Sequence, residues 1–236
     1  MANPTAAMLV IGDEILSGRT QDTNSNHLAK TLTRIGIDLG EVRVVGDVPG
    51  QIISAVNALR RQFDHVFTSG GIGPTHDDIT ADCIAKAFGI GIDIRQDARA
   101  ILASHYANPA DLNPMRLRMA RIPDGASLIA NPVSKAPGFR VKNTYVMAGV
   151  PLVFHAMLAS ILPDLTGGTP LLSVSVRVDQ PEGSLAAPLA EIAAQFPDVS
   201  IGSYPFIQDE KFGSNLVARS TDKTLLEIVA AKLGTI

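Results

Sequence analysis

The sequence runs to 236 residues with a net charge of −3, 46% hydrophobic and 18% charged. This composition fits one large domain, or a medium domain plus a small one, and excludes a disordered chain or a basic nucleic-acid binder. Apolar runs too short for a bilayer, no charged-then-apolar leader, and a single cysteine, Cys83, that reads as a buried small hydrophobe lead us to expect a cytoplasmic protein not associated with membranes.

Ala6 to Ile11 is an unbroken apolar run, the form of a strand buried on both faces, and it ends in Gly12-Asp13-Glu14. Ile15 to Asp22 reads as a loop. Thr23 or Asn24 can cap the next helix, whose Leu28, Leu32 and Ile35 share one face before Gly36 ends it. Ile37 to Val45 is a second strand, with Asp47 just beyond its end. Val48-Pro49 opens another helix with an inner stripe of Ile52, Ile53, Val56, Leu59 and Phe63, proline being suited to a first turn. Buried strands alternating with amphipathic helices predict a parallel sheet covered on both sides.

The stretch from His65 to Thr80 carries the chemistry. A strand through Val66-Phe67 and Ser69 breaks into Gly70-Gly71-Ile72-Gly73-Pro74-Thr75. Asp77 and Asp78 then precede a helix over Ile79–Phe88 that Gly89 closes. Strand, glycine loop and helix start together form an anion pocket, because glycines let bare N–H groups approach oxygens. The loop has neither the spacing of a dinucleotide fingerprint nor the lysine of a Walker loop. Two carboxylates at the mouth of a phosphate pocket would repel the ligand, and a divalent cation bridging carboxylate and phosphate resolves that conflict. Ligands of such sheets sit beyond the carboxyl ends of the strands, where Gly12-Asp13-Glu14, Asp47 and the glycine loop all fall. Plainer alternatives stand beside this: Asp78 or Thr80 caps the helix, Asp47 caps the helix behind it, and Asp13 and Glu14 are solvated.

Downstream, Asp97–Tyr106 and Pro114–Ala120 are predicted helical, Ile122–Gly125 a turn, and Ser127–Ala130 a short strand. Asn131–Phe139 is a second turn-rich loop, Phe139–Met147 a hairpin about Lys142-Asn143, and Leu152–Leu162 a helix after Gly149-Val150-Pro151. Arg116, Arg118 and Arg121 are candidates for phosphate-facing charge, with solvated faces the expectation for at least two of them. Pro163–Pro170 reads as a linker. Beyond it, strands at Leu171–Val178, Val199–Tyr204 and Gly213–Ser220 and helices at Ala186–Phe196 and Thr224–Leu233 make a βαββα unit of about 65 residues, near the lower limit for independent folding. It has no glycine loop or acid cluster, and we expect a scaffold or interface module.

Gly12-Asp13-Glu14, Asp22-Thr23-Asn24-Ser25, the Gly70–Thr80 motif, Ala136-Pro137-Gly138-Phe139 and Gly149-Val150-Pro151 together resemble the amino-terminal domain of the competence/damage-inducible protein A (CinA) family, within the molybdopterin-binding MoaB/Mog-like superfamily. They also resemble the amino-terminal domain of eukaryotic FAD synthase. The resemblance implies a three-layer α/β/α, mostly parallel fold over residues 1–166, with a smaller α+β, KH-like domain over 171–236. It implies metal-dependent hydrolysis of a nucleotide pyrophosphate such as ADP-ribose or FAD, or alternatively non-catalytic binding of a molybdopterin-type ligand. Asp47 and Asp78 match the acids that matter there. They are expected to hold Mg, Mn or Co, with Asp77 orienting water. Main-chain N–H groups from Gly70 to Thr75, with the Ser69 or Thr75 hydroxyl, are expected to hold phosphate. The wider binding set implied is Gly12, Asp13, Glu14, Asn24, Ser69, Gly70, Gly71, Gly73, Pro74, Thr75, Lys135, Pro137 and Gly138. A homo-oligomer is also implied. Ser134-Lys135 replaces the glycine and small hydroxyl residue of the family, a change that can add a phosphate contact or alter substrate choice. The sequence stops before the family's amidohydrolase domain, so that activity is not expected.

Overall fold

In the computed structural model, which describes residues 2–208 and 211–236, strand β1 (Thr5–Ile11) is buried from Ala6 to Ile11. Its side chains alternate between two cores. Ala7, Leu9 and Ile11 enter one with Ile52, Val56, Leu59 and Ile84, while Ala6, Met8 and Val10 enter the other with Leu28, Leu32, Phe154 and Met157. A strand apolar on both faces can be stable only with helices on each side, each fully buried Leu or Phe contributing about 1.5–3 kcal/mol.

The one-turn helix α1 (Asp13–Leu16) follows, then α2 (Asn24–Arg34), β2 (Asp38–Val45), α3 (Pro49–Gln62), β3 (His65–Ser69) and α4 (Thr80–Phe88), which ends at Gly89 with φ 67. Next come β4 (Ile92–Ile94), α5 (Gln96–Ala103), α6 (Pro114–Leu117), β5 (Arg121–Pro123), β6 (Ser127–Ile129), β7 (Gly138–Val141), β8 (Thr144–Met147) and α7 (Pro151–Ile161). The main sheet is six-stranded, in the order β2-β1-β3-β8-β7-β6. β2, β1, β3 and β8 are parallel, and β7 runs antiparallel to both its neighbours. The fold is therefore mixed α/β with a mostly parallel sheet between two helical layers.

Two local expectations are corrected. Ile15 and Leu16, expected in a loop, belong to α1, whose first N–H is held by the Asp47 carboxylate at 3.0 Å. Ile122-Pro123, expected in a turn, lies in β5 and pairs with β4, a strand not anticipated at all. Three-residue strands are too short to show alternation, and only the buried Ile122 side chain and the pairing across the chain create them.

The chain divides into two compact units at Gly168/Thr169. The second comprises β9 (Leu172–Val178), α8 (Glu182–Gln195), β10 (Ser200–Gln208), β11 (Lys211–Ser220) and α9 (Lys223–Leu233). Its antiparallel sheet, ordered β10-β11-β9, buries Leu216 and Ala218 against Leu185, Ile192, Val229 and Leu233. The Asp222 carboxylate caps α9 by accepting the Leu225 N–H at 3.0 Å. Among the described residues no helix is long and apolar enough to cross a membrane.

Candidate functional site

The ends of β1, β2, β3 and β8 meet. The Gly12 N–H donates to the Val45 carbonyl at 3.1 Å, and the Gly70 N–H donates to that of Met147 at 3.1 Å. A Cβ added to Gly70 would lie 2.1 Å from the Ile11 carbonyl oxygen, and one added to Gly149 would lie 3.3 Å from Gly70 Cα. Gly70 also sits at φ 111, a conformation that L side chains rarely adopt. Backbones approach this closely only through glycine, so the loops after β1, β3 and β8 share one crevice, while Asp47, after β2, joins the loop after β1 through the Asp13 N–H.

A cavity of 420 Å³ opens there, floored by Gly70, Gly71, Ile72 and Gly73 and walled by Met119, Ala136, Val150, Val153 and Met157, with Glu14, Asp78, Asn131 and Ser134 at its polar points. Mostly apolar walls with a few convergent polar groups are the usual form of a small-molecule site. Among the described residues the N–H groups of Gly71, Ile72 and Gly73 donate to no protein atom. The expected donor set is smaller than Gly70 to Thr75, because the Gly70 N–H is spent on Met147 and the Thr75 N–H on Asp78 Oδ2 at 2.8 Å. The Thr75 hydroxyl also donates to Asp78 Oδ2, leaving it no proton for a phosphate, and Pro74, just before Thr75, is half-buried and has no N–H to offer.

Asp78 therefore closes the glycine loop and does not cap α4, whose start at Ile79 has no side-chain cap. Thr80 does not cap it either. Its N–H donates to the Gly71 carbonyl at 2.9 Å and its side chain is fully buried beside Gly71. Asp47 likewise does not cap the helix behind it. That start, at Val48, has no side-chain cap, and Asp47 Oδ2 turns back to the Asp13 N–H. The Asp47 carboxyl is held above the usual carboxylate range, first by burial and then by the nearby charges of Asp13, Glu14 and Asp77. Asp13 Oδ1 packs against Gly46, the Glu14 carboxylate packs against Gly12, and Asp77 lies on the exposed loop tip.

Among the described residues no three His, Cys, Asp or Glu side chains cluster tightly enough to hold a metal unaided. Carboxylate oxygens such as those of Asp47 and Asp78 are the donor type that a hard divalent cation takes; Asp78 lines the cavity, whereas Asp47 borders neither the cavity nor the two hollows beside it.

Neither Thr23 nor Asn24 caps α2 by its side chain; Asp22 Oδ1 does so, accepting the N–H groups of Asn24 at 3.0 Å and Ser25 at 3.1 Å. Asn24 is buried, and its amide donates at 2.8 Å both to Ser69 Oγ and to the Gly149 carbonyl, joining α2 to the ends of β3 and β8. With Glu14 and Ser69 it lines a second hollow of 50 Å³ beside the main cavity.

On the opposite rim, Asn131 organises the loop to β7. Its Oδ1 accepts the Val133 and Ser134 N–H groups, and its amide donates to Ser134 Oγ and the Ala136 carbonyl. Sequence reasoning did not single out Asn131; the Asn-Pro start of a turn-rich loop was the signal for it. Lys135 is exposed at φ 61 and borders neither the cavity nor the two hollows beside it. Pro137 lines a narrow hollow next to the glycine loop, whereas Gly138 is a buried strand residue whose added Cβ would meet the Val146 carbonyl at 2.4 Å. Of the three arginines, Arg121 pairs with Asp82, and Arg116 donates to the Asp111 carbonyl and lies over the Tyr106 ring. Arg118 reaches the glycine loop, donating to the Asp78 carbonyl at 3.2 Å.

Residues 7–167 match the family model described as a probable molybdopterin binding domain, and residues 170–235 match that of the FAD synthase middle domain. A probable FAD synthase of Caenorhabditis elegans is 32% identical over 97% of this chain and 49% of its own, so the chain spans about half the length of that relative. A CinA-like protein of Citrifermentans bemidjiense is 38% identical over 68% of this chain and 40% of its own. Among solved structures, the protein CinA of Thermoplasma acidophilum superposes with a TM-score of 0.65 at 38% identity, covering 68% of this chain and 97% of that one.

Proposed function

Because this chain belongs to the CinA family through its probable molybdopterin-binding domain, we propose that its crevice binds a nucleotide diphosphate and hydrolyses the pyrophosphate bond, with ADP-ribose or FAD as the substrate class. One observation carries this: among the described residues three consecutive N–H groups, at Gly71, Ile72 and Gly73, have no protein acceptor, and all three residues line a cavity bordered by acids. Bare main-chain donors recruit phosphate oxygens, and the apolar wall of Met119, Val153 and Met157 accepts a flat ring. Relatives named probable FAD synthase, and the match to its middle domain, favour a nucleotide over other anions.

Asp47 and Asp78 would hold a divalent cation, which supplies charge neutralisation and a water of lowered pKa when bound. The chain's own residues do the positioning. Asp78 fixes the loop through Thr75, Asn24 ties Ser69 to the end of β8, and Asp77, on the exposed loop tip, would orient water. Positioning and charge neutralisation are what phosphoryl chemistry needs most.

The test is release of monophosphate from ADP-ribose and FAD with Mg²⁺, Mn²⁺ or Co²⁺. Asp78→Asn keeps an acceptor for Thr75 while removing the charge, and is expected to lower turnover about 100-fold or more; full activity would remove Asp78 from the mechanism. The family description favours a second reading, a molybdopterin-type binding protein without turnover. Calorimetric binding of a pterin phosphate, with no release from any diphosphate, would establish it.

A further inference from the structure

We propose that Arg118 is a phosphate-binding residue of the crevice, taking an oxygen of the ligand's second phosphate; this rests on the diphosphate reading above. The guanidinium donates from Nη2 to the Asp78 carbonyl, so it is fastened to the same loop that offers the bare N–H groups. Its Nε–H is shut away from solvent and has no acceptor. Arginine carries a fixed fork of donors, so tethering one nitrogen aims the rest.

Nearby carboxylates do not use its charge. Asp82 pairs with Arg121, and Asp78 Oδ2 is filled by the Thr75 N–H and hydroxyl. Among the described residues Arg118 has no ion-pair partner. It lines a hollow of only 10 Å³ with Asp82, Arg121 and Pro137, about the room of one oxygen-sized atom. That hollow and the 420 Å³ cavity share Gly71, Ile72, Gly73, Asp78 and Met119. One ligand with two adjacent anionic groups reaches both, and a diphosphate is the chemistry that does so. An anionic oxygen in the hollow would supply the opposite charge that the arginine lacks.

Calorimetry of the full chain in Mg²⁺, with AMP and with ADP-ribose in its α,β-methylene form, whose bridging carbon cannot be hydrolysed, compares the unsubstituted protein with Arg118→Lys and Arg118→Met. Loss of a charge-assisted contact to the second phosphate is expected to weaken ADP-ribose about 10-fold or more in Arg118→Met. Arg118→Lys should recover part of that loss, and AMP should change less than about twofold. Equal loss for both ligands would show that Arg118 only braces the loop, and unchanged ADP-ribose affinity would show that it touches no phosphate. Either result overturns the inference while leaving the diphosphate reading intact. No ADP-ribose binding by the unsubstituted protein would overturn that reading and this inference with it. Should Arg118→Met fail to melt cooperatively, Arg118→Gln, which keeps a donor without the charge, decides by the same two affinities.

Discussion

Replacing Gly70 by alanine tests whether the strand ends really touch. The new methyl group would stand 2.1 Å from the Ile11 carbonyl oxygen, a backbone atom on a strand paired to β2 on one side and β3 on the other. Backbone at φ 111 adds its own strain for an L residue. Strain of about 1–3 kcal/mol and overpacking of about 1–3 kcal/mol sum to about 2–6 kcal/mol, a large share of the roughly 5–15 kcal/mol that holds a domain folded. Gly18→Ala is the control, because Gly18 has φ 73 but nothing within 4 Å of an added Cβ. It should cost only the left-handed penalty, about 1–2 kcal/mol. Urea unfolding followed by far-UV circular dichroism measures both, and amide exchange in β1 assigns the loss to the first unit. If Gly70→Ala matched Gly18→Ala, the Ile11 carbonyl would be free to move and the close meeting of the strand ends would be wrong.

Asp47→Asn should stabilise the metal-free protein at neutral pH. The raised pKa means that folding favours the neutral carboxyl, so its stability contribution is full below the ordinary carboxyl pKa and is lost as pH rises through the raised value. Relief of about 1 kcal/mol or less corresponds to a Tm gain of roughly 1–4 °C; the gain should vanish in acid, and a lower Tm at neutral pH would contradict the repulsion. Burial pushes the Cys83 thiol up to about 11. Ellman's reagent at about pH 8 should therefore leave it unmodified in the native protein and label it once unfolded; rapid native labelling would show that α4 opens.

Much of this molecule is written locally. The run Ala6–Ile11 specifies a strand covered on both faces because hydrophobic period is a property of neighbouring residues. Gly70-Gly71-Ile72-Gly73 announces a tight loop with bare main-chain donors because glycine's conformational freedom is likewise its own. The same locality explains the failures: β4 and β5 hold three residues each and exist only because they pair with one another. The partners of the polar residues needed tertiary structure. Asp47 lies two residues before a helix and could cap it on local grounds, yet it accepts the Asp13 N–H from 34 residues away. Asn24, a candidate cap by position, instead reaches Ser69 and Gly149. Arg118, one of three arginines alike in sequence, is distinguished only by its bond to the Asp78 carbonyl. A carboxylate, amide or guanidinium reaches any partner within about 3 Å, and which one comes that near is decided by how the helices pack on the sheet.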